Sequence, residues 1–408
     1  MKPHLTYRHT RFACYIGYIT QGIVNNLTPL LFVIFREQSG VTYEQLGRLI
    51  LLNFGTQLLV DLLSVRLLDR IGYRTAAVLA HIMAGAGLLF LGILPRVMPS
   101  YIGLMIAVVA YAIGGGLIEV LISPMLEALP SDKKAADMSL LHSFYCWGQV
   151  LTVLISTLAL LAVGSTRWTL LPLFWSIIPF FGALIFLFVP LGDPVPEETR
   201  TPLGTLLKSR IFWLSLLMMT CAGASELAMS QWSSLFAERG LQLNKAMGDL
   251  LGPCLFAALM GIGRTIYAVL GDRLPLERAL RACAVLCAAC YAVTVLSPWP
   301  LLSLVGCAVC GLSVSLMWPG VYSLSAARFP TGGTALFSML ALFGDLGCSI
   351  GPWISGMVSD AAQTSTAAMT YAAQNGLSMD QVGLKLGLAV IMIFPLAMLA
   401  GLFPRKKR

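Results

Sequence analysis

Apolar runs of about twenty residues, each enough to cross a hydrocarbon core of ~30 Å, succeed one another along the whole chain and are separated by short polar stretches. Read between bounding charges and turn residues, they predict helices over 11–35, 45–68, 75–94, 101–126, 139–163 and 169–190. A second set is predicted over 211–236, 248–271, 280–297, 301–327, 334–359 and 381–402. Between the sets, GDPVPEETRTPLGTLLKSR (192–210) is the longest polar, proline-bearing stretch and reads as a linker. The expected organisation is a six-helix bundle over 1–191, the linker over 192–210 and a second six-helix bundle over 211–408. The first apolar run is too long for a signal peptide and follows no small-residue cleavage site, so it reads as a retained helix.

Composition agrees with lipid as the solvent. Of 408 residues 57% are hydrophobic and 11% charged, against roughly 25% charged in a soluble domain. A net charge of +8 would suggest nucleic acid in a soluble protein, but here the basic residues fall in short loops, which excludes that partner. With the N-terminus inside, 20 of the 27 lysines and arginines lie on the cytoplasmic side, and only Arg36, Arg48, Arg96, Arg167, Arg239, Lys245 and Lys385 on the other. Cytoplasmic loops carry the basic excess, so a multi-pass protein of the cell inner membrane with both termini in the cytoplasm is expected.

Ten cysteines lie almost wholly in apolar segments, among them Cys283, Cys287, Cys290, Cys307 and Cys310, and read as small packing residues. They imply neither a disulfide framework nor a metal site. The chain has no G-x-x-x-x-G-K-[ST] loop, no H-E-x-x-H pair and no soluble domain large enough for ATP. An enzyme is therefore not expected, nor a cofactor. Work would come from ion or solute gradients, in a protein expected to act as a monomer in the bilayer.

The two halves echo each other: SVRLLDRIGYR (64–74) after the second helix matches YAVLGDRLPLER (267–278) after the eighth, with Asp69 and Asp272 203 residues apart. Two pseudo-symmetric six-helix bundles, each of inverted three-helix repeats, describe the major facilitator fold. The first of these loops resembles that family's G-x-L-x-D-R-x-G-R signature through Leu67, Asp69, Arg70 and Gly72, with Val65 at the leading glycine and Tyr73 inserted before Arg74. The resemblance implies that Asp69, Arg70, Arg74, Asp272 and Arg273 belong to gating loops. A solvated anchor loop is the alternative.

Ionisable groups within apolar runs point to function, since each costs at least about 2.5–3.5 kcal/mol near a helix centre without a cavity or partner. Asp61, Glu119, His142, Glu226 and Asp345 are such residues. Glu119 follows Gly114, Gly115 and Gly116, which let another backbone approach, and precedes Pro124; it is the first candidate for proton coupling. Glu226, in GASELAMSQWSSLF, and Asp345, in ALFGDLGCSIGPW, are further candidates for proton binding or for pairing with a cation, structural pairing with Arg264 being the alternative.

The stretch from Gly114 to Gly148 resembles the fourth and fifth helices of the fucose-type sugar:proton symporter branch, through Glu119, Pro124, His142, Ser143, Phe144, Tyr145 and Gly148. By that resemblance Glu119 carries a proton, with His142 and Tyr145 near it on the facing helix; these two and Gln149 are candidate substrate contacts. Asn25 and Asn26 match a paired asparagine of the branch, although the chain reads NNLTP where the branch reads N-N-L-N-D, so the likeness does not extend to fucose itself. A buried helix–helix hydrogen bond is the other reading of these two amides.

Trp318, Pro319 and Tyr322 resemble the branch's tenth helix; the proline frees a backbone carbonyl, and an aromatic ring beside it can stack on a sugar face. With Gln231, Trp232 and Trp147 these are candidate substrate contacts, interfacial anchoring being the common alternative for tryptophan. The function expected is proton-coupled symport of a small polar solute, a sugar or sugar derivative. The alternatives are proton-coupled efflux of amphipathic compounds, against which stands the lack of a G-x-x-x-G-P signature over 139–163, and a non-transporting receptor on the same scaffold.

Overall fold

The structure, a computed structural model, describes residues 5–41, 43–192, 200–241, 250–271 and 273–402. Every regular element among the described residues is helical: α1 Tyr7–Leu30, α2 Phe32–Ser39, α3 Tyr43–Ile71, α4 Tyr73–Val97, α5 Ser100–Glu127, α6 Lys134–Val163, α7 Leu170–Trp175, α8 Ile177–Phe188 and α9 Leu203–Leu206. There follow α10 Arg210–Leu241, a π turn Leu250–Cys254, α11 Leu255–Leu270, α12 Leu276–Leu296, α13 Pro300–Val314, α14 Met317–Arg328, α15 Gly333–Gln363, α16 Thr366–Asn375, α17 Met379–Ile391 and α18 Ile393–Leu402. Ten segments are long and apolar enough to cross a membrane. Two more helices, α1 and α3, have the length; α1 carries the buried amide Gln21, and α3 the buried Asn53, Gln57 and Asp61.

Three of the predicted helices are divided, each by the same chemistry. The turn residues Ser176, Leu316 and Met392 stand three positions before Pro179, Pro319 and Pro395. Proline has no N–H for the carbonyl four residues back, and its ring crowds that carbonyl. A helix drawn through such a proline therefore closes and restarts. The first helix also ends sooner than expected, at Leu30, one residue past Pro29, with Leu31 N–H turning back to the Thr28 carbonyl at 3.0 Å before α2 begins. The extra helix α16 was not expected from the sequence. It is capped by Ser365, which accepts from Ala368 N–H at 3.4 Å, and closed by Gly376 in the left-handed region at φ 63°.

The chain divides into two compact units, residues 1–206 with 329–342 and residues 207–328 with 343–408. Residues 193–199 of the expected linker lie outside the described residues. In both units large apolar side chains within the spans are exposed, for example Leu161 at 78% and Val269 at 75%. Such surface is a liability in water and is the expected outer face of a helix in lipid. The interior of the first unit is notable for its polar groups. Gln21, Asn53, Gln57, Asp61, Ser123 and His142 are all buried.

Candidate functional site

In the first unit the polar side chains form an amide ladder across α1, α3 and α5 and, beside it, a hydroxyl–imidazole cluster across α1, α5 and α6. Asn53, Gln57 and Asp61 recur every four residues and so occupy one stripe of α3. Gln57 Nε2 donates to Asn25 Oδ1 of α1 at 3.0 Å and to Asn53 Oδ1 at 3.1 Å, and Asn53 Nδ2 donates to Asn25 Oδ1 at 3.4 Å. Gln21 Nε2, one turn back along α1, donates to Gln57 Oε1 at 3.2 Å and to Glu119 Oε2 of α5 at 3.0 Å. A buried polar group left without a partner costs about 1–3 kcal/mol. The ladder offsets that cost for its amides, Gln21 Oε1 excepted, and holds the Glu119 carboxylate at a fixed place.

One turn further along α5, Ser123 Oγ lies 2.7 Å from Tyr18 Oη, which lies 3.1 Å from His142 Nε2 of α6; Ser123 Oγ and His142 Nε2 are 3.4 Å apart. Tyr111 donates to Thr28 Oγ1 at 2.9 Å at the other end of α5. Along α1 the partners run Tyr18, Gln21, Thr28 while along α5 they run Ser123, Glu119, Tyr111. The two helices are thus antiparallel, and their polar contacts share one seam.

The glycine triplet makes that seam narrow, with each glycine facing a different helix. A Cβ on Gly114 would lie 2.4 Å from the Ala84 nitrogen of α4, on Gly115 2.9 Å from Gln21 Oε1 of α1, and on Gly116 3.2 Å from the Gln57 Cα of α3. Three neighbours therefore close on α5 within one turn, directly before Glu119.

The remaining candidates of this unit fall nearby without joining the ladder. Asn26 Nδ2 donates to the Gly22 carbonyl of its own helix at 2.8 Å. Tyr145 and Gln149 bring their backbones against Gly22, where a Cβ would meet the Tyr145 carbonyl at 2.7 Å and the Gln149 nitrogen at 3.0 Å. In the loop between α3 and α4, Arg74 donates to the carbonyls of Phe186, Leu187 and Val189 at 2.8–2.9 Å and so caps the end of α8. Arg70 is exposed, and the side chain of Asp69 lies outside the described part. Tyr73 Oη lies 2.5 Å from Thr334 Oγ1 of the same unit.

In the second unit Arg264 of α11 is buried, and its Nη2 lies 3.2 Å from Glu226 Oε2 of α10. Its Nε donates at 2.8 Å to the Ser315 carbonyl, the one that Pro319 leaves without a helical donor. Asp345 is buried on α15. That helix lies close against α10: a Cβ on Gly347 would be 2.1 Å from the Thr220 carbonyl, and on Gly351 2.8 Å from the Ala224 carbonyl. Trp318 and Tyr322 are buried with ring centroids 6.5 Å apart, and Gly344 leaves room for the Trp318 ring. Trp232 and Trp147 are half-buried, Gln231 and Arg273 exposed, and Asp272 lies outside the described residues.

Five participants in the ladder and the Ser123 cluster were not among the expected site residues: Tyr18, Gln21, Asn53, Gln57 and Ser123. The four-residue spacing of Asn53, Gln57 and Asp61 was the available signal for the α3 stripe. Among the described residues no group of three or more His, Cys, Asp and Glu could hold a metal. Cys287 and Cys310 Sγ are 3.9 Å apart, a contact rather than a bond.

Solved structures share this architecture. The chain is 15% identical to FucP, a transporter solved in an outward conformation, with a TM-score of 0.74 over 95% of this chain and 98% of that one; another structure of FucP, the E. coli fucose:proton symporter, superposes with a TM-score of 0.73. The proton:xylose symporter XylE, bound to 6-bromo-6-deoxy-D-glucose, is 11% identical with a TM-score of 0.74 over 95% and 94% of the two chains. The human organic anion transporter TETRAN is 13% identical with a TM-score of 0.70 over 97% and 99%. At these identities the likeness is one of fold. No curated protein matches the chain by sequence. The sequence model of the Major Facilitator Superfamily matches residues 14–352, so this multi-pass membrane protein belongs to the Major Facilitator Superfamily, a family of transporters rather than enzymes.

Proposed function

We propose that the protein couples movement of a small polar solute, a sugar or sugar derivative, to a proton by alternating access, with Glu119 as the proton-carrying acid. The observation that carries this reading is the bond from buried Gln21 to the Glu119 carboxylate inside the amide ladder. An acid inside an apolar span is retained where it meets a partner or a pathway. Glu119 is joined to a row of amides of the kind that recognise hydroxyl groups. FucP and XylE, which share the fold, are described as proton symporters of fucose and xylose.

In this reading Glu226 and Asp345 are proton-linked acids of the second unit. Asn25, Asn26, His142, Tyr145, Gln149, Gln231, Trp232, Trp318 and Tyr322 supply solute contacts, and the loops bearing Asp69, Arg70, Arg74, Asp272 and Arg273 gate. The chain works as a monomer in the cell inner membrane, as bundles 1–191 and 211–408 joined by 192–210, with both termini in the cytoplasm. The test is a panel of neutral sugars, fucose and xylose included, added to vesicles holding the purified protein at zero membrane potential. A sugar that is carried should alkalinise the outside medium. Uptake of a sugar with no proton movement contradicts the coupling.

A second reading, exchange or export of an amphipathic organic anion, is favoured by Arg264, a buried cation whose charge Glu226 balances. Protonation of Glu226 would leave that cation open to an anionic solute. TETRAN, which shares the fold, is described as an organic anion transporter. Thermal stabilisation by benzoate and by none of the sugars would select this reading.

A further inference from the structure

The amides between Glu119 and Asn25 carry a direction. Gln21 gives its NH2 to Glu119 Oε2 and to Gln57 Oε1; Gln57 gives its NH2 to Asn25 Oδ1 and Asn53 Oδ1; Asn53 gives its NH2 to Asn25 Oδ1. From Gln21 onward every N–H points toward Asn25, whose own NH2 takes no part in the chain. The direction is set at the other end. A carboxylate only accepts, so Gln21 must turn its NH2 toward Glu119. In doing so Gln21 leaves Oε1 buried and without a partner, against the bare face of Gly115.

A neutral carboxyl group has one O–H to donate and wants an acceptor. Gln21 holds the idle one. We infer that Gln21 is a positioning residue whose amide turns over when Glu119 takes up a proton, and that the turn passes through Gln57 to Asn25 and Asn53, exchanging donor for acceptor at the far end. The inference rests on Glu119 being the proton carrier. After the turn Gln21 Oε1 faces both Glu119 and Gln57. It accepts from the Glu119 O–H, and it meets the carbonyl of Gln57, which must then present its NH2. Gln57 in turn faces the two asparagines with its carbonyl, and they answer with N–H groups.

No proton travels along the amides. The proton enters and leaves at the Glu119 carboxyl, from water and to water, and only the orientations of N–H and C=O groups change. One polar end of Gln21 lies over Gly115 without a partner in either state, so that cost is shared, and the contacts with Glu119 and Gln57 decide the orientation. Among the described residues, the buried acid and imidazole groups on the helices around Glu119 are Asp61 of α3, His81 of α4 and His142 of α6, with Tyr18 of α1 buried beside His142. Tyr18 and His142 are bonded to each other, Asp61 lies one turn beyond Gln57, and the His81 ring packs against Phe186 with centroids 5.0 Å apart. The far end is where a hydroxylated solute would meet a donor with Glu119 charged and an acceptor with Glu119 neutral.

The test is infrared difference spectroscopy of the full-length protein in lipid, taken between high and low pH with no solute added, using 13C-labelled glutamine or asparagine. Wild type should show a protonated-carboxyl band that Glu119→Gln removes, and amide bands of both labels that move with the same midpoint. Gln21→Met should keep the carboxyl band and lose the asparagine bands. Gln57→Met should keep the glutamine band from Gln21 and lose the asparagine bands. Silent amides beside a Glu119-dependent carboxyl band in wild type, or asparagine bands that survive in Gln21→Met, overturn the relay and leave the proton carrier standing. A spectrum without a Glu119-dependent carboxyl band overturns both. Should Gln21→Met not fold, the labelled wild type and Gln57→Met decide the question alone.

Discussion

The Arg264 Nε–H donates to the Ser315 carbonyl at 2.8 Å, four residues before Pro319, so a buried guanidinium supplies the hydrogen bond that the proline ring withholds. The same guanidinium reaches Glu226. A helix break and a buried ion pair are thereby parts of one arrangement, and each helps to explain the other.

Removing one partner of a buried pair costs about 3–5 kcal/mol, because the other charge is left uncompensated. Arg264→Met is expected to lower the melting temperature sharply, and Glu226→Gln, which keeps an acceptor, to lower it less. Pro319→Ala restores an N–H for the Ser315 carbonyl, so the double variant Arg264→Met with Pro319→Ala should recover part of the loss. Strict additivity of the two substitutions in a melting series would show that proline and arginine act independently.

The glycine triplet gives an order of tolerance. Alanine at Gly114 meets the backbone of α4 at 2.4 Å and cannot be relieved by a side-chain turn; overpacking of this kind costs about 1–3 kcal/mol or more. Alanine at Gly115 crowds the movable end of Gln21 and otherwise makes an ordinary contact with Val24, and alanine at Gly116 needs a shift of a few tenths of an ångström. Folded yield by size-exclusion chromatography should fall most for Gly114→Ala. Equal yields for all three variants would mean that α4 does not approach α5 as described.

Tyr18→Phe removes a hydroxyl shared by Ser123 and His142. Those two already lie 3.4 Å apart and can close on each other, so the expected loss of stability is only about 1 kcal/mol. Denaturation in a chaotrope series measures it. A loss beyond about 3 kcal/mol would mean that His142 has no second partner to fall back on.

The succession of long apolar helices was legible because apolar runs are a property of neighbouring residues. The prolines were legible too, but helices were drawn through Pro179, Pro319 and Pro395. The apolar pattern continues across them, whereas the hydrogen bonds do not. Glu119 stood out because a charge in an apolar run is rare. Gln21, Asn53 and Ser123 did not, since an uncharged polar residue in a span is common and its importance lies in which helix it meets. That meeting depends on the antiparallel register of α1 and α5 and on glycines facing three helices at once, which no local pattern reports.

The central claim is that Glu119 carries the coupled proton, and the most direct measurement compares Glu119→Gln with wild type in vesicles, using whichever sugar the panel identifies. Glutamine keeps the shape and still meets Gln21, but it cannot take up and release a proton. Wild type should accumulate the sugar when the outside is made acidic. The variant should lose that uphill accumulation and still exchange labelled for unlabelled sugar across the membrane. Accumulation in Glu119→Gln equal to wild type would contradict the claim and leave Glu119 as a structural member of the ladder.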